Sequence, residues 1–253
     1  MKYAGLVEYD GAEFAGWAAQ PGLRTVEGVL SEALSTVLRG PVKMSVAGRT
    51  DAGVHASGQV VSFAARTDLR AAQISYKATA VLPTDVALRR CVEVPDAFDA
   101  RRDAIARTYE YRVINDEIRS PLRRSHAAFV PRALDLDLLS AAGRMVEGTH
   151  DFTAFTPSKG YHVRFERVIT DSRWTCRDDL LTYNITADSF LYGMVRTLVG
   201  TMLEVAGGKR DLSQFGRLLA GASRSEAGPA VASRGLTLVG VDYDHPDLWR
   251  SER

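Results

Sequence analysis

The order of the elements that the sequence predicts indicates an α+β fold with two ferredoxin-like (RRM-like) domains and mainly antiparallel sheets. Residues 2–94 have the pattern strand, helix, strand, strand, helix, strand, which is the ferredoxin-like order. A looser set of strands and helices follows from about residue 106, and the length of 253 residues suits two modest domains. We therefore expect domains at 1–105 and 106–253. We expect them to pack tightly side by side, since no Pro/Gly/Ser linker separates them.

The first domain is predicted from alternation, helical spacing and breaker residues. Residues 2–9 alternate with a period of two and indicate a strand. A helix over 26–38 follows, because its apolar residues recur at helical spacing. Thr25 can cap its start and Gly40-Pro41 can end it. The remaining elements are strands at 42–46 and 59–63, a helix at about 69–81 that Pro83 stops, and a strand at 86–94.

The second domain is predicted from weaker signals of the same kind. Tyr109, Tyr111 and Val113 alternate along a strand at 107–115. A short helix begins at Asp211, with Gln214 three residues later in a pattern close to a capping box. The other elements are a helix from Leu136 that ends at Gly148, strands at 164–175 and 180–187, a long helix at about 188–206, and a last strand at 236–243.

Composition excludes several classes of protein and leaves the partner open. Hydrophobic residues make up 45% and charged residues 25% of the chain, which excludes a disordered tail, a fibre and a small disulfide scaffold. A formal charge of +1 argues against a nucleic-acid partner for the chain as a whole. Basic residues nevertheless cluster at 101–124 and 159–177. Each cluster is either a solvated face with ion pairs or part of a groove that follows phosphates.

The sequence shows no signal for secretion, a membrane span, a cofactor or a metal. The N-terminus lacks an apolar signal-peptide core, and Arg196 and Glu204 interrupt the most apolar stretch, Phe190–Gly208. Cys91 and Cys176 lack metal-type spacing, and two reduced, buried thiols are favoured over one long-range disulfide. We find no Gly-rich dinucleotide loop, P-loop or clustered metal ligands. We therefore expect a cytoplasmic protein without metal or nucleotide cofactor.

The segment Ala47–Ala56 joins two predicted strands and contains three side chains of types common in catalytic sites, Arg49, Asp51 and His55. Taken alone, Asp51 is a turn former whose carboxylate binds backbone N–H groups, as is common before glycine. Arg49 can be its simple ion-pair partner, and His55 is interpreted as a hydrogen-bonded structural histidine.

The segment Gly48–His55 resembles the signature of the tRNA pseudouridine synthase A family. Further blocks resemble the family in the right order over nearly the whole chain: Glu8–Gly11 with Phe14, Gly16 and Trp17, Arg24–Glu27, Gly58–Phe63, Leu82-Pro83, Phe98 with Ala100-Arg101, Arg107 with Tyr109 and Tyr111, Asp151–Phe155, Phe190–Gly200, and Gly235–Leu238. Ala18, Asp99 and Arg102 depart from the family pattern, and Lys159–Arg167 follows it only loosely.

The resemblance implies an enzyme that isomerises uridine to pseudouridine at nucleotides 38–40 of the tRNA anticodon stem-loop. It implies that the active-site cleft lies between the two domains, that the enzyme is a homodimer bound to tRNA, and that no cofactor takes part. Asp51 would be the nucleophile, or the base that begins a route through a glycal. Arg196 would face Asp51 and oppose the rise in its pKa that burial brings.

The resemblance also implies roles in binding the substrate. Flipping the base out of the stack costs a few kcal/mol. Arg49 would fill the space that the base leaves. Tyr109 would pack against the flipped uracil. Arg107, in the family's Arg/Tyr strand, and Arg164, where a basic residue is expected, would contact the RNA.

Two other functions stay open at the level of the sequence. The first is an inert RNA-binding module, which ferredoxin-like folds often are. Against it, the chain lacks an aromatic RNP1-type strand and retains Arg49, Asp51 and Tyr109 together. The second is a metal-dependent phosphoesterase that uses Asp51, His55, His150 and Asp151.

Overall fold

The computed structural model describes residues 1–158, 163–245 and 248, and it confirms a mixed α+β fold. The strands are β1 (Lys2–Tyr9), β2 (Met44–Val46), β3 (His55–Ala64), β4 (Val86–Val94), β5 (Ala104–Ile114), β6 (Ala128–Phe129), β7 (Gly148–Asp151), β8 (Glu166–Arg177), β9 (Leu180–Ala187) and β10 (Leu236–Tyr243). The α-helices are α1 (Val26–Leu38), α2 (Ala71–Val81), α3 (Leu136–Arg144), α4 (Met194–Ala206) and α5 (Leu212–Leu218). The chain divides into a first unit, Met1–Arg107 with Leu238–Arg253, and a second unit, Thr108–Thr237.

The first unit contains the predicted ferredoxin-like sequence of elements. β1 pairs antiparallel with both β3 and β4, and β2 pairs antiparallel with β3, which gives the order β4-β1-β3-β2. α1 and α2 pack together, and α2 packs on β4. The Thr25 side chain accepts a hydrogen bond from the Gly28 N–H at 3.3 Å, so the predicted cap of α1 is present.

Most of the last strand, residues 238–243, falls in the first unit, whereas the sequence places it in a domain at 106–253. β10 is a neighbour of β3, and a Cβ at Gly58 would lie 2.2 Å from the Val239 carbonyl oxygen. The Tyr243 hydroxyl donates to the Ala100 carbonyl at 2.6 Å, and its ring lies 5.2 Å from that of Phe98. This division differs from the expected domains at the last strand, because the partner of a strand is set by contacts distant in sequence.

The second unit has the neighbour order β5-β9-β8-β7, with β7, β8 and β9 paired antiparallel. β6 pairs in parallel with β5. α3 packs on α4 and on β8, and α5 packs on α3 and α4. The half-buried Trp174 ring stacks on the buried Tyr183 ring at 5.0 Å beside these helices. The capping box of α5 is present, since Asp211 and Gln214 exchange hydrogen bonds.

Two helices are shorter than their periodicity predicts, and a glycine marks each limit. α4 begins at Met194 instead of 188, because Gly193 adopts a left-handed conformation with φ 67° immediately before it. α3 ends at Arg144, and Gly148, with φ 102°, begins the unpredicted strand β7 instead of ending a helix.

Both cysteines are free thiols. Cys91 is buried, and burial raises its pKa to about 12. Cys176 is exposed, so the expectation that both thiols are buried is wrong for this residue. Among the described residues, no helix combines the length and apolar character needed to cross a membrane.

Candidate active site

Asp51 is half-buried at the head of a tight turn between β2 and β3. The Val54 N–H donates to the Asp51 carbonyl at 3.2 Å, and Gly53 has φ 74° at the third position of this turn. A positive φ at that position is the requirement of a type II turn, which favours glycine. The Asp-Ala-Gly sequence therefore explains the local shape that fixes the backbone of Asp51.

The turn is held against the segment Gly11–Trp17 by backbone contacts. The Gly53 N–H donates to the Phe14 carbonyl at 3.2 Å, and the Trp17 N–H donates to the Thr50 carbonyl at 3.0 Å. A Cβ at Gly11 would lie 2.0 Å from the Val54 carbonyl oxygen. Glycine at position 11 is therefore a condition for this packing.

A buried network of side chains supports the same loop from beneath. The Tyr9 hydroxyl lies 2.7 Å from Thr50 Oγ1. Gln59 Nε2 donates to the Gly48 carbonyl at 2.7 Å and lies 3.4 Å from the Tyr9 hydroxyl. The sequence pattern predicts no role for Tyr9, Thr50 or Gln59. Gln59 does carry a sequence signal of a supporting role, because it is a polar residue within an apolar strand. The structure buries it fully, as expected for a hydrogen-bonded polar side chain.

Arg49 and Arg107 lie on and beside this loop. Arg49 is exposed. The Arg107 guanidinium donates to the Ala47 carbonyl through Nε and Nη2, at 3.2 and 2.9 Å. It also donates to the carbonyls of Ala104 and Arg101, at 2.9 and 3.0 Å. These contacts make Arg107 a support of the loop, and its contact with RNA stays a prediction.

His55 follows the turn and is buried at the start of β3. Its Nδ1 accepts a hydrogen bond from the Gly11 N–H at 3.0 Å and lies 3.0 Å from a carboxylate oxygen of Asp10. These contacts agree with its interpretation as a hydrogen-bonded structural histidine.

Two departures from the family pattern, Asp99 and Arg102, lie in one turn of the first unit. The Asp99 carboxylate accepts hydrogen bonds from the N–H groups of Arg101 and Arg102 and from the Ser45 hydroxyl, at 2.9 to 3.0 Å. Burial raises the pKa of Asp99, but these donors outweigh it and hold the pKa below its usual value. Asp99 therefore organises a turn that presents the exposed side chains of Arg101 and Arg102.

Tyr109 lies on β5 in the second unit and is 8% exposed. The Phe190 ring meets its ring edge-on, with 5.0 Å between the centroids. Edge-to-face packing of this kind fixes ring orientation as well as burying area. Phe190 begins the family-like block Phe190–Gly200, and its contact with Tyr109 has no signal in the sequence.

Arg196 lies in the first turn of α4 and is half-buried, not on an exposed helix face. Its Nε donates to the Val231 carbonyl at 2.8 Å, and the Val231 N–H donates to the Arg196 carbonyl at 3.2 Å. One helical turn further on, a Cβ at Gly200 would lie 1.9 Å from the Pro229 carbonyl oxygen. The chain around Pro229–Val231 therefore makes a close approach along this flank of α4.

Arg164 is exposed just before β8. Its carbonyl accepts a hydrogen bond from Arg167 Nη1 at 2.9 Å. Residues 159–162, part of the loosely family-like stretch and of the second basic cluster, lie outside the described residues.

Of the four residues proposed for a phosphoesterase, His150 and Asp151 make other contacts within the second unit. In the second unit His150 Nε2 lies 2.9 Å from the Glu147 carbonyl oxygen. The Asp151 carboxylate accepts from the N–H and hydroxyl of Thr153, at 2.8 and 2.6 Å. Within 1–158, 163–245 and 248, neither these two residues nor Asp51 belongs to a cluster of three or more groups that could hold a metal.

Comparison with known proteins gives a consistent result over almost the whole chain. Residues 6–102 and 142–244 match the family described as tRNA pseudouridine synthase. The chain is 40% identical to tRNA pseudouridine synthase A of Roseiflexus castenholzii over 94% of its length and 88% of the relative. It is 36% identical to the Methylacidiphilum infernorum protein of that name, over 95% of each chain. It is 38% identical to the Stenotrophomonas maltophilia protein, over 98% and 97%.

An α+β chain with this extent of similarity is an isomerase that modifies RNA. The chain belongs to the tRNA pseudouridine synthase family.

Proposed function

We propose that this chain isomerises uridine to pseudouridine at nucleotides 38–40 of the tRNA anticodon stem-loop, with Asp51 as the nucleophile. Asp51 is half-buried at the start of a turn that hydrogen-bonds to the backbone of both Phe14 and Trp17. This turn lies within a region that matches the family, and the two observations together support the proposal. Asp51 attacks C1′ as the N1–C1′ bond breaks. The uracil then turns, C5 bonds to C1′ as the carboxylate leaves, and the proton lost from C5 is balanced by the proton that N1 gains.

The other predicted site residues serve catalysis and binding of the flipped base. Tyr109 packs against the uracil, and its fixed contact with Phe190 supports this role because a stacking surface needs a defined orientation. Arg49 fills the space that the base leaves in the stack, and the exposure of its side chain supports this role. Arg196 serves as the catalytic cation, and its bond to Val231 fixes the direction of its guanidinium.

RNA binding involves the phosphates of a folded stem, which are recognised mainly by shape and charge. The exposed Arg164 suits a phosphate contact, and Arg107 supports the catalytic loop in addition to any contact of its own. We also propose that the chain forms a homodimer in the cytoplasm and catalyses this reaction without a metal or nucleotide cofactor. Light scattering of the purified chain, with and without tRNA, tests the dimer.

Release of tritium from C5 of uracil separates the three candidate functions. The chain is incubated with an unmodified tRNA transcript labelled at C5, in the presence of a chelator. Tritium release identifies the synthase, strand cleavage in a parallel reaction with added metal identifies the esterase, and neither product identifies an inert binder. Replacing the uridines at 38–40 with cytidine should abolish release, and release that persists contradicts the proposed position.

Asp51→Ala should abolish tritium release while tRNA binding stays within about threefold, because the carboxylate acts on the reacting bond and the binding surface is retained. Asp51→Asn is the matched control for shape and should be equally inactive. An active Asp51→Ala protein contradicts the proposal. A primary isotope effect with deuterium at C2′ of the target ribose would instead indicate the glycal route and overturn the nucleophilic role.

A further inference from the structure

The two residues that flank Arg49 are both hydrogen-bonded to a network of buried side chains. Gly48 is held through its carbonyl by Gln59, and Thr50 is held through its hydroxyl by Tyr9. Tyr9 is 3% exposed, Gln59 0% and Thr50 7%. The network therefore fixes the backbone on both sides of Arg49 and immediately before Asp51.

We propose that Tyr9 and Gln59 are positioning residues for catalysis, which act by fixing the direction of Arg49 and Asp51 through Gly48 and Thr50. This inference rests on the proposed function of Asp51. Tyr9, Gln59 and Thr50 come from β1, β3 and the loop, so the network connects the loop that carries Asp51 to two paired inner strands of the first unit's sheet. Sites built on such supports hold their geometry better than free loops.

The donors and acceptors of the network are matched around Gln59. Gln59 Oε1 accepts from the Val60 N–H at 3.2 Å, so the Gln59 amide nitrogen is the group that faces Gly48 and Tyr9. The Tyr9 oxygen accepts from this nitrogen and shares a second hydrogen bond with Thr50 Oγ1, in which either hydroxyl can donate. The Gln59 amide therefore links the Gly48 carbonyl to the Tyr9–Thr50 pair.

The network keeps this arrangement across the neutral pH range. Burial raises the pKa of Tyr9 to about 12, although hydrogen bonds with Thr50 and Gln59 oppose the rise. The phenol therefore stays protonated and keeps its hydrogen bond with Thr50. Removing its hydroxyl leaves Thr50 without this partner in a dry environment, and a displacement of about 1 Å at a catalytic group can lower a rate on the order of 100-fold.

Tyr3 supplies a matched control on the same strand. It is 0% exposed, and its ring stacks on Phe63 at 5.7 Å, much as Tyr9 packs on Trp17 at 5.9 Å. Its hydroxyl contacts Met1 Sδ at 4.0 Å and has no link to the catalytic loop among the described residues. Tyr3→Phe and Tyr9→Phe therefore make the same chemical change in the same strand.

The test uses single-turnover tritium release with excess enzyme, together with tRNA affinity and thermal unfolding. Tyr9→Phe should lower the rate constant about 10- to 100-fold, leave the tRNA Kd within about twofold, and unfold near the temperature of Tyr3→Phe. Thr50→Val should lose about as much as Tyr9→Phe, and Thr50→Ser should recover most of the rate. The double variant Tyr9→Phe/Thr50→Val should lose no more than either single variant, because both remove one link.

Three results would overturn the inference: a Tyr9→Phe rate equal to that of Tyr3→Phe, a rate loss that follows a fall in unfolding temperature or affinity, or losses that multiply in the double variant. If Tyr9→Phe does not fold, the Thr50 series answers the same question. An active Asp51→Ala protein would contradict the proposed function itself. An inactive Asp51→Ala protein together with a fully active Tyr9→Phe protein would contradict only the positioning role.

Discussion

The loop that carries Asp51 and the helix start that carries Arg196 are held by different sets of contacts. Beneath the loop, buried side chains of Tyr9 and Gln59 form hydrogen bonds to Thr50 and Gly48, in addition to the backbone contacts of the turn with Gly11–Trp17. The contacts of Arg196 include a hydrogen bond to the Val231 carbonyl, which belongs to a segment without regular secondary structure. The loop is therefore held against two strands of a sheet, and Arg196 is held against an irregular segment.

The path in the second region is that of the segment Glu226–Ala232, which α4 and its surroundings hold at several points. The Gly228 N–H donates to Thr201 Oγ1 at 3.0 Å, and the Glu226 carbonyl accepts from Arg210 Nη2 at 2.8 Å. The Tyr111 hydroxyl donates to the Ala232 carbonyl at 2.7 Å. Because several hydrogen bonds hold this segment, we expect the removal of any one of them to lower activity less than changes beneath the loop that carries Asp51.

The largest effect is expected from Gly11→Ala in the first region. The new Cβ would lie 2.0 Å from the Val54 carbonyl oxygen and 2.5 Å from its carbon, so the backbone that ends the Asp51 turn must move. We expect the free energy of unfolding to fall by about 3 kcal/mol and single-turnover tritium release to fall at least about 100-fold. Gly40→Ala is the control, since nothing lies within 4 Å of its Cβ. A Gly11→Ala protein with normal activity would show that the turn is not tightly fixed.

Thr201→Val should have an intermediate effect in the second region. The buried Thr201 hydroxyl accepts from Gly228 and donates to the Thr197 carbonyl at 2.7 Å, so its loss leaves a main-chain N–H without this acceptor. We expect a loss of about 1–2 kcal/mol in denaturant unfolding and a rate within about tenfold of the original, because Val231 keeps both hydrogen bonds to Arg196. Thr201→Ser should restore stability. A rate loss as large as that of Gly11→Ala would contradict the difference between the two regions.

Local signals predicted much of the fold. Thr25 caps α1 as expected, and the alternation of residues 2–9 indicates β1 correctly. The position of β10 could not be predicted, because its pairing with β3 depends on contacts distant in sequence. The start of α4 was misplaced because apolar periodicity continues through residues 190–192, and only the left-handed Gly193 interrupts it.

The candidate site divides in the same way. The turn around Asp51 follows from its Asp-Ala-Gly sequence, and the buried Gln59 was visible as a polar residue within an apolar strand. The partner of Arg196 could not be predicted, since a carbonyl in an irregular segment has no side-chain signature. Gly200 gave the nearest signal, because a glycine within a helix can mark a close backbone approach.

The smallest effect is expected from Glu204→Gln, which loosens the anchor of the Glu226–Ala232 segment. The buried Glu204 carboxylate pairs with Lys209 and with Arg210, and Arg210 also binds the Glu226 carbonyl. Burial raises the pKa of Glu204, but the two cations outweigh it and the pKa lies below its ordinary 4.5. A lowered pKa adds stability above the unfolded-state value, and that stability is lost as the pH falls through the folded-state value.

The wild-type chain should therefore exceed Glu204→Gln in free energy of unfolding by on the order of 1 kcal/mol at pH 7, and the difference should shrink below about pH 4.5. Denaturant titrations at several pH values measure it, with the exposed Glu117→Gln as the control for loss of a surface charge. Tritium release at neutral pH should change less than about threefold, because Gly228, Pro229 and Val231 keep their own contacts with α4. A stability difference that stays constant with pH would show that Glu204 acts through packing instead of charge.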